Sequence, residues 1–194
     1  MEKNNYPKTA LEDFGRRHPE TKLIPSKISD QDISALEEKL HINVPGIIKD
    51  FLQSYILLAE FITGKMLGDF QQTYSEETGR WRTMADEEEI STATLKLPLT
   101  APNYDLSDFE EGNDLFVGTG FLFVGLYNDE YYVLLDLQSE KVCRVDTERI
   151  RPYLGDETRA DILRWAIPFF NSFEDLMRCF FGGEVYDAEE MIFV

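Results

Sequence analysis

Residues 28–55, ISDQDISALEEKLHINVPGIIKDFLQSY, leave the chain little freedom, because almost every position has an assignable structural role. Ser29 is placed to cap a helix, with Asp32 at the third helical position to reach back to it, as in a capping box. Ile28 before the cap and Ile33 at the fourth helical position have the spacing of a hydrophobic staple. Ile33, Leu36 and Leu40 then share one face at intervals of three and four. His41 follows at the helix C-terminus, where it suits the helix dipole. His41-Ile42-Asn43-Val44 reads as an extended link that turns Ile42 and Val44 toward a core. Pro45 lacks an N–H and belongs in the first turn of a second helix, along which Ile48, Phe51, Leu52 and Tyr55 repeat the apolar spacing. The spacing predicts two short amphipathic helices whose apolar faces are core, not a site.

A chain of 194 residues is one domain, or one domain with an ordered extension, and buries roughly 70% of its unfolded surface without needing a staple. Its two cysteines, Cys143 and Cys179, offer neither a disulfide framework nor a zinc spacing, and free buried thiols in a reducing compartment are expected. The first 27 residues lack the apolar run of an export signal, and the run Tyr55–Ala59 is too short to span a bilayer, so a soluble cytoplasmic protein is expected.

Charge sets the choice of partner. The net charge is −18, and residues 1–27 carry six basic and four acidic side chains, which leaves 13 basic against 33 acidic in residues 28–194. Such a body repels nucleic acid and anionic membrane, whose phosphates require Lys and Arg. It attracts basic proteins and speeds their association at low salt, although acidity for solubility alone gives the same composition.

Residues 1–27, with prolines at 7, 19 and 25, read as an N-terminal extension with a short helix near Thr9–Arg17, laid on the body or partly frayed. From Asp114 onward the chain turns to short aromatic and β-branched runs: Leu115–Gly118, Phe121–Tyr127, Tyr131–Asp136 and Lys141–Val145. Gly118-Thr119-Gly120, Asn128-Asp129-Glu130 and Leu137–Glu140 separate them, the pattern of an antiparallel meander. Near the C-terminus, Ser172 with Asp175 makes a second capping box. Phe173, Leu176, Met177, Phe180 and Phe181 form a wide apolar stripe, and Gly182 stands where the helix should stop.

Three of these segments carry a resemblance to a known family. The run LEEKLHINVPGIIKDFL, Leu36–Leu52, resembles the opening motif of the SUKH superfamily, which includes fungal regulators of cell-wall and glucan synthesis and their bacterial relatives. Asp136 followed by Val142-Cys143-Arg144-Val145 resembles its central strand pair, and a strand beginning after Gly112-Asn113-Asp114 resembles its step from G-x-D into a strand. NSFEDLMRCFFGG, Asn171–Gly183, resembles its closing helix, except that Leu176 and Met177 stand where an aromatic is frequent. The resemblance touches residues 28–55, 112–145 and 171–182, in the family's order, over roughly half the chain. It implies an α+β fold: a central, mostly antiparallel sheet with an N-terminal helix pair and a C-terminal helix packed on it. Residues 28–194 would be a single domain, with an insertion at about 63–111 longer than the family's usual connection.

The residues offer little chemistry. His18 and His41 lie in no metal-binding spacing, and nothing in the sequence activates either cysteine as a nucleophile. Gly118-Thr119-Gly120 precedes a strand instead of a helix and reads as a tight turn between strands, not a phosphate loop. The acidic stretch Asp105–Gly112 places its glycine eighth, which does not fit an EF-hand calcium loop. No cofactor and no metal site are expected.

The resemblance implies a non-catalytic protein-binding module. Bacterial members commonly act as immunity proteins that neutralise a toxin, and a basic toxin domain is the partner that the charge would suit. The alternative is a regulator or scaffold of cell-wall or glucan synthesis; an enzyme is the third reading. Glu87, Glu88, Glu89, Glu110 and Glu111 are the candidate contacts, with Trp81 as a possible aromatic anchor, set against a solvated face for the acids and core burial for the tryptophan. Monomer and dimer both remain compatible with the sequence.

Overall fold

The computed structural model describes residues 6–59, 61–67, 72–75, 80–83, 90–98, 106–150 and 158–194, with the backbone alone for 72–75 and 80–83. The chain enters through helix α1 (Tyr6–Arg17) and strand β1 (Lys22–Pro25). Both are laid on the body: Leu11 and Phe14 are buried in the main core, and β1 pairs antiparallel with β2 (Tyr55–Leu58).

Helix α2 (Asp30–Leu40) starts as its sequence dictates. The Ser29 N–H donates to Asp32 Oδ2 at 2.8 Å, and the Asp32 N–H donates to Ser29 Oγ at 3.3 Å. His41 ends the helix in the left-handed region (φ 53°), its N–H donating to the Glu37 carbonyl. Glu37 then clamps the link to helix α3 (Gly46–Ser54): its carboxylate accepts from the Val44 N–H and from Lys49 Nζ, each at 2.8 Å. Pro45 stands at the cap, just outside α3. Tyr55, which the spacing places on the second helix, instead opens β2, because the helix ends at Ser54. Ile33, Leu36, Leu40, Val44, Ile48, Phe51 and Leu52 are all buried.

The remaining strands in chain order are β3 (Ile62–Leu67), β4 (Gln72–Ser75), β5 (Arg80–Thr83), β6 (Ile90–Lys96), β7 (Phe121–Tyr127), β8 (Tyr131–Asp136), β9 (Val142–Asp146), β10 (Ile167–Phe170), β11 (Val185–Asp187) and β12 (Ile192–Phe193). Strands β4 and β5 pair only with each other; the other eight form one sheet in the order β10-β9-β8-β7-β6-β3-β11-β12. Every neighbouring pair in it is antiparallel except β11 beside β3. The fold is therefore α+β around a mostly antiparallel central sheet, and the stretch 63–111 supplies most of β3 and all of β6.

The meander β7-β8-β9 forms as expected, turning through Asn128 and Asp129, two residues that tolerate the positive φ angles they adopt. The segment before it differs. Leu115–Gly118 is not a strand but the exit from a helix, α4 (Ser107–Asp114), so Gly112-Asn113-Asp114 closes that helix and β7 begins only at Phe121. Gly118 and Gly120, at φ 79° and 78°, shape a helix-to-strand turn, not a turn between strands. The physical reason is burial: Phe109 and Asn113, four apart, anchor α4, while Phe116 packs under the sheet and joins no ladder.

Alternation along β7–β9 serves two cores. The inner face, with Leu122, Val124, Val133, Leu135 and Val142, shares one buried core with the apolar residues of α1, α2, α3 and the C-terminal helix α6 (Phe173–Met177). The outer face, with Phe121, Phe123, Leu134 and Val145, is covered by Phe116 and by Ile162 of α5 (Arg159–Trp165), a helix that opens with a Thr158–Asp161 capping box.

Ser172 caps α6 by accepting from the Asp175 N–H at 3.1 Å. The helix then widens into a π turn over Arg178–Gly182, and Gly183, one residue beyond the expected stop, takes the left-handed position (φ 73°). The wider turn explains how three consecutive side chains are all buried. Cys179 lies against β3, with Sγ 3.7 Å from the Lys65 carbonyl oxygen, Phe180 lies beside Gly64, and Phe181 meets Phe14 and Phe51. Both cysteines are free thiols. Among the described residues, no helix is long and apolar enough to cross a membrane.

Candidate partner-binding site

Of the candidate contacts, Glu87, Glu88 and Glu89 lie outside the described residues. Trp81 is on β5, opposite Tyr74 in the ladder, and its side chain also lies outside them. Glu110 and Glu111 stand on α4, whose placement is fixed by packing. Phe109 points into the main core, and Gly112 rests so close to the sheet that a Cβ there would come within 2.6 Å of the Phe123 ring. Asn113 substitutes for a strand partner along β7. Its Oδ1 accepts from the Phe123 N–H at 2.7 Å, while its Nδ2 donates to the carbonyls of Phe123 (3.0 Å) and Phe109 (2.8 Å).

With residues 109, 112 and 113 facing inward, Glu111 and Asp114 are exposed and Glu110 is half-buried toward α2. Acids in the first turn of α4, Asp108 and Glu110, suit the helix dipole. Glu110 forms an ion pair with Lys39 of α2, bridging the two helices. Between them runs an open groove of about 510 Å³, lined by Ile28, Asp32, Leu36, Lys39, Leu106 and Glu110 among others. The groove lining is mixed in charge, whereas its flanks are acidic: α2 and α4 together carry Asp30, Asp32, Glu37, Glu38, Asp108, Glu110, Glu111 and Asp114 against Lys39 alone. The Ser29 N–H and hydroxyl hold the Asp32 carboxyl below its ordinary value. Burial would raise Glu37, but Lys49 and the Val44 N–H outweigh it and hold that carboxyl down too. These carboxylates are charged at neutral pH.

The groups able to do covalent chemistry stand elsewhere. His18 is stacked on Phe14 with ring centroids 4.5 Å apart, and His41 is an exposed helix terminus. Burial, helped by nearby Asp136, pushes the Cys143 thiol up to about 12, the opposite of an activated nucleophile. Among the described residues, no three His, Cys, Asp or Glu side chains are grouped to hold a metal ion.

Three polar residues inside the fold were missed from sequence. Asn113 is one. Arg144 is buried on β9, its guanidinium 5.0 to 5.2 Å from the ring centres of Phe169, Tyr131 and Tyr127. Arg159 reaches from α5 to Asp136 Oδ2 at 2.8 Å and lies over the Phe121 ring. Arg144 alone gave a signal, a lone polar residue inside the apolar run Val142–Val145, which identifies neither its partners nor its burial; Asn113 and Arg159 stand among charged neighbours that give none. No protein-family model matches the chain, and no curated protein matches it.

Proposed function

We propose that this protein is a non-catalytic binding module that neutralises a basic toxin domain by occupying its surface, in the manner of the immunity proteins of the SUKH superfamily. The observation that carries the reading is the charge on α2 and α4: eight carboxylates and one lysine on two helices flanking a groove. Electrostatic complementarity of this kind accelerates encounter with a cationic partner and fixes its orientation. The net charge of −18 gives the same preference at longer range. The sequence resemblance supports the same class of function, and its first and third segments lie on the α2–α3 pair and on α6. The half-buried Cys143, its thiol held protonated, and two histidines on separate elements, His18 half-buried and His41 exposed, favour binding over catalysis.

The test is titration calorimetry against a basic toxin domain encoded beside this gene, run from low to high salt. Affinity should fall as salt rises. Glu111→Lys combined with Asp114→Lys, both at exposed positions, should weaken binding about tenfold or more. An affinity indifferent to salt and to both substitutions rules the electrostatic reading out.

A further inference from the structure

The outer face of the sheet is covered only in part. Phe116 and α5 cover it over β7–β9, whereas along β6-β3-β11-β12 its side chains face solvent. Phe61, Thr63 and Lys65 are exposed along β3 and its approach, as are Ile90, Thr92 and Lys96 on β6 and Ile192 on β12. The register places Thr63 opposite Thr94, Lys65 opposite Thr92 and Leu67 opposite Ile90, and it sets Leu67 beside Asp187 and Asp187 opposite Ile192. Three of the large exposed apolar side chains thus gather on one face: Phe61 at 52%, Ile90 at 55% and Ile192 at 53%.

Its charge sets this face apart. The four strands hold two lysines, Lys65 and Lys96, and one acid, Asp187, in a molecule of net charge −18. The charges are also segregated. The lysines lie on β3 and β6, while Asp187 and the exposed Glu189 and Glu190 lie at the β11–β12 end, where Asp187 Oδ1 accepts the N–H groups of both glutamates. A patch cationic on one side and anionic on the other, with apolar residues among them, is complementary to itself after a twofold rotation, as an isologous interface requires. The acidic α2–α4 flank cannot meet its own copy without like-charge repulsion.

We infer that the outer face of β6-β3-β11-β12 is a self-association surface that takes a second copy of this chain in a twofold, sheet-to-sheet dimer. At about 4.8 Å between strands and about 3.3 Å per residue, strands of seven, six, three and two residues give a footprint of about 290 Å². That is about a third of the roughly 800 Å² per partner of a standard interface, which makes the dimer weak and dependent on concentration.

Sedimentation equilibrium over a concentration series tests this with the full chain and no partner present. The expected result is a reversible monomer–dimer equilibrium that Ile90→Asp and Ile192→Asp abolish and Lys65→Glu weakens. Val117→Asp and Leu163→Asp, at exposed apolar positions elsewhere, should leave it unchanged. Because all of these sites are exposed, a retained cooperative thermal transition confirms that each variant remains folded. A monomer at every concentration and salt overturns the inference. So does a dimer that survives the Ile90 and Ile192 substitutions, or one lost on changing Val117 or Leu163. None of these results depends on whether a toxin is bound.

Discussion

Asp136 shows how one side chain ties three parts of the chain together. It ends β8, and its carboxylate accepts from Arg159 of α5 (2.8 Å), from the Gln138 N–H (2.9 Å) and from the Ser139 hydroxyl (2.8 Å). Burial alone would raise its pKa, but Arg159 and the two hydrogen bonds outweigh it and hold the carboxyl at about 2. The folded value lies below the ordinary 3.8, so the native state gains stability wherever Asp136 is ionised. That gain is complete above roughly pH 4 and is lost as the pH falls toward 2. With Arg159 still a quarter exposed, its size is about 1–2 kcal/mol. Urea unfolding of the native chain and of Asp136→Asn should differ by that amount near neutral pH and converge only below about pH 2. Parallel pH profiles would show that the carboxylate is not linked to folding. The sequence marks Asp136 as a strand end followed by a turn, which is correct, but gives no sign of Arg159, 23 residues away and brought near only by the packing of α5.

Elements whose instructions are local were the legible ones. The Ser29–Asp32 box, the two apolar helix stripes and the β7-β8-β9 meander all depend on residues within a few positions of one another, and they fold as read except that Pro45 and Tyr55 fall just outside the second helix. Helix α4 depends instead on a partner outside its own stretch. Without Asn113, the N–H and C=O of Phe123 would be buried with no ladder partner, because β6 pairs with β7 only at Leu95–Tyr127 and Lys96–Leu126. The irregularity between Phe123 and Gly125 belongs to the same junction, where a Cβ on Gly125 would come within 2.8 Å of the Lys96 carbonyl oxygen. Asn113→Ala should therefore cost about 2–4 kcal/mol in denaturant unfolding, since it leaves two buried backbone groups unsatisfied. A loss under 1 kcal/mol would mean that water or a local shift replaces the amide. A helix so held keeps Glu110 and Glu111 in fixed positions, which is why the candidate site could be glimpsed in the sequence only as an acidic run. Its packing against α2 through Lys39 could not be read at all.

At the scale of the whole molecule, 37 acids face 19 basic side chains, so at least 18 of the carboxylates can have no Lys or Arg of their own. Among the described residues, the ion pairs are mostly local or bridge neighbouring elements: Arg16 with Asp13, Lys49 with Glu37, Lys39 with Glu110, Arg159 with Asp136, and Arg178 with Asp175 and Glu184. The unpaired excess repels itself in the compact state more than in the expanded unfolded chain, and a partner that neutralises it relieves the strain. The same excess that would draw a basic toxin domain thus weakens the free protein. The screening length falls from about 30 Å at 0.01 M salt to about 3 Å at 1 M, so sodium chloride should act as a substitute for the missing partner. The melting temperature of the protein alone should rise by several degrees over that range, and most of the rise should come early, while the screening length is still comparable to the size of the molecule. Lysine substitutions at Glu111 and Asp114 should raise the melting temperature at low salt and flatten its salt dependence, even as they weaken capture of a basic partner. A melting temperature that falls with salt would instead mean that ion pairs, not repulsion, dominate the electrostatics of the fold, and the acidic helices would then have to be explained without reference to an absent cationic surface.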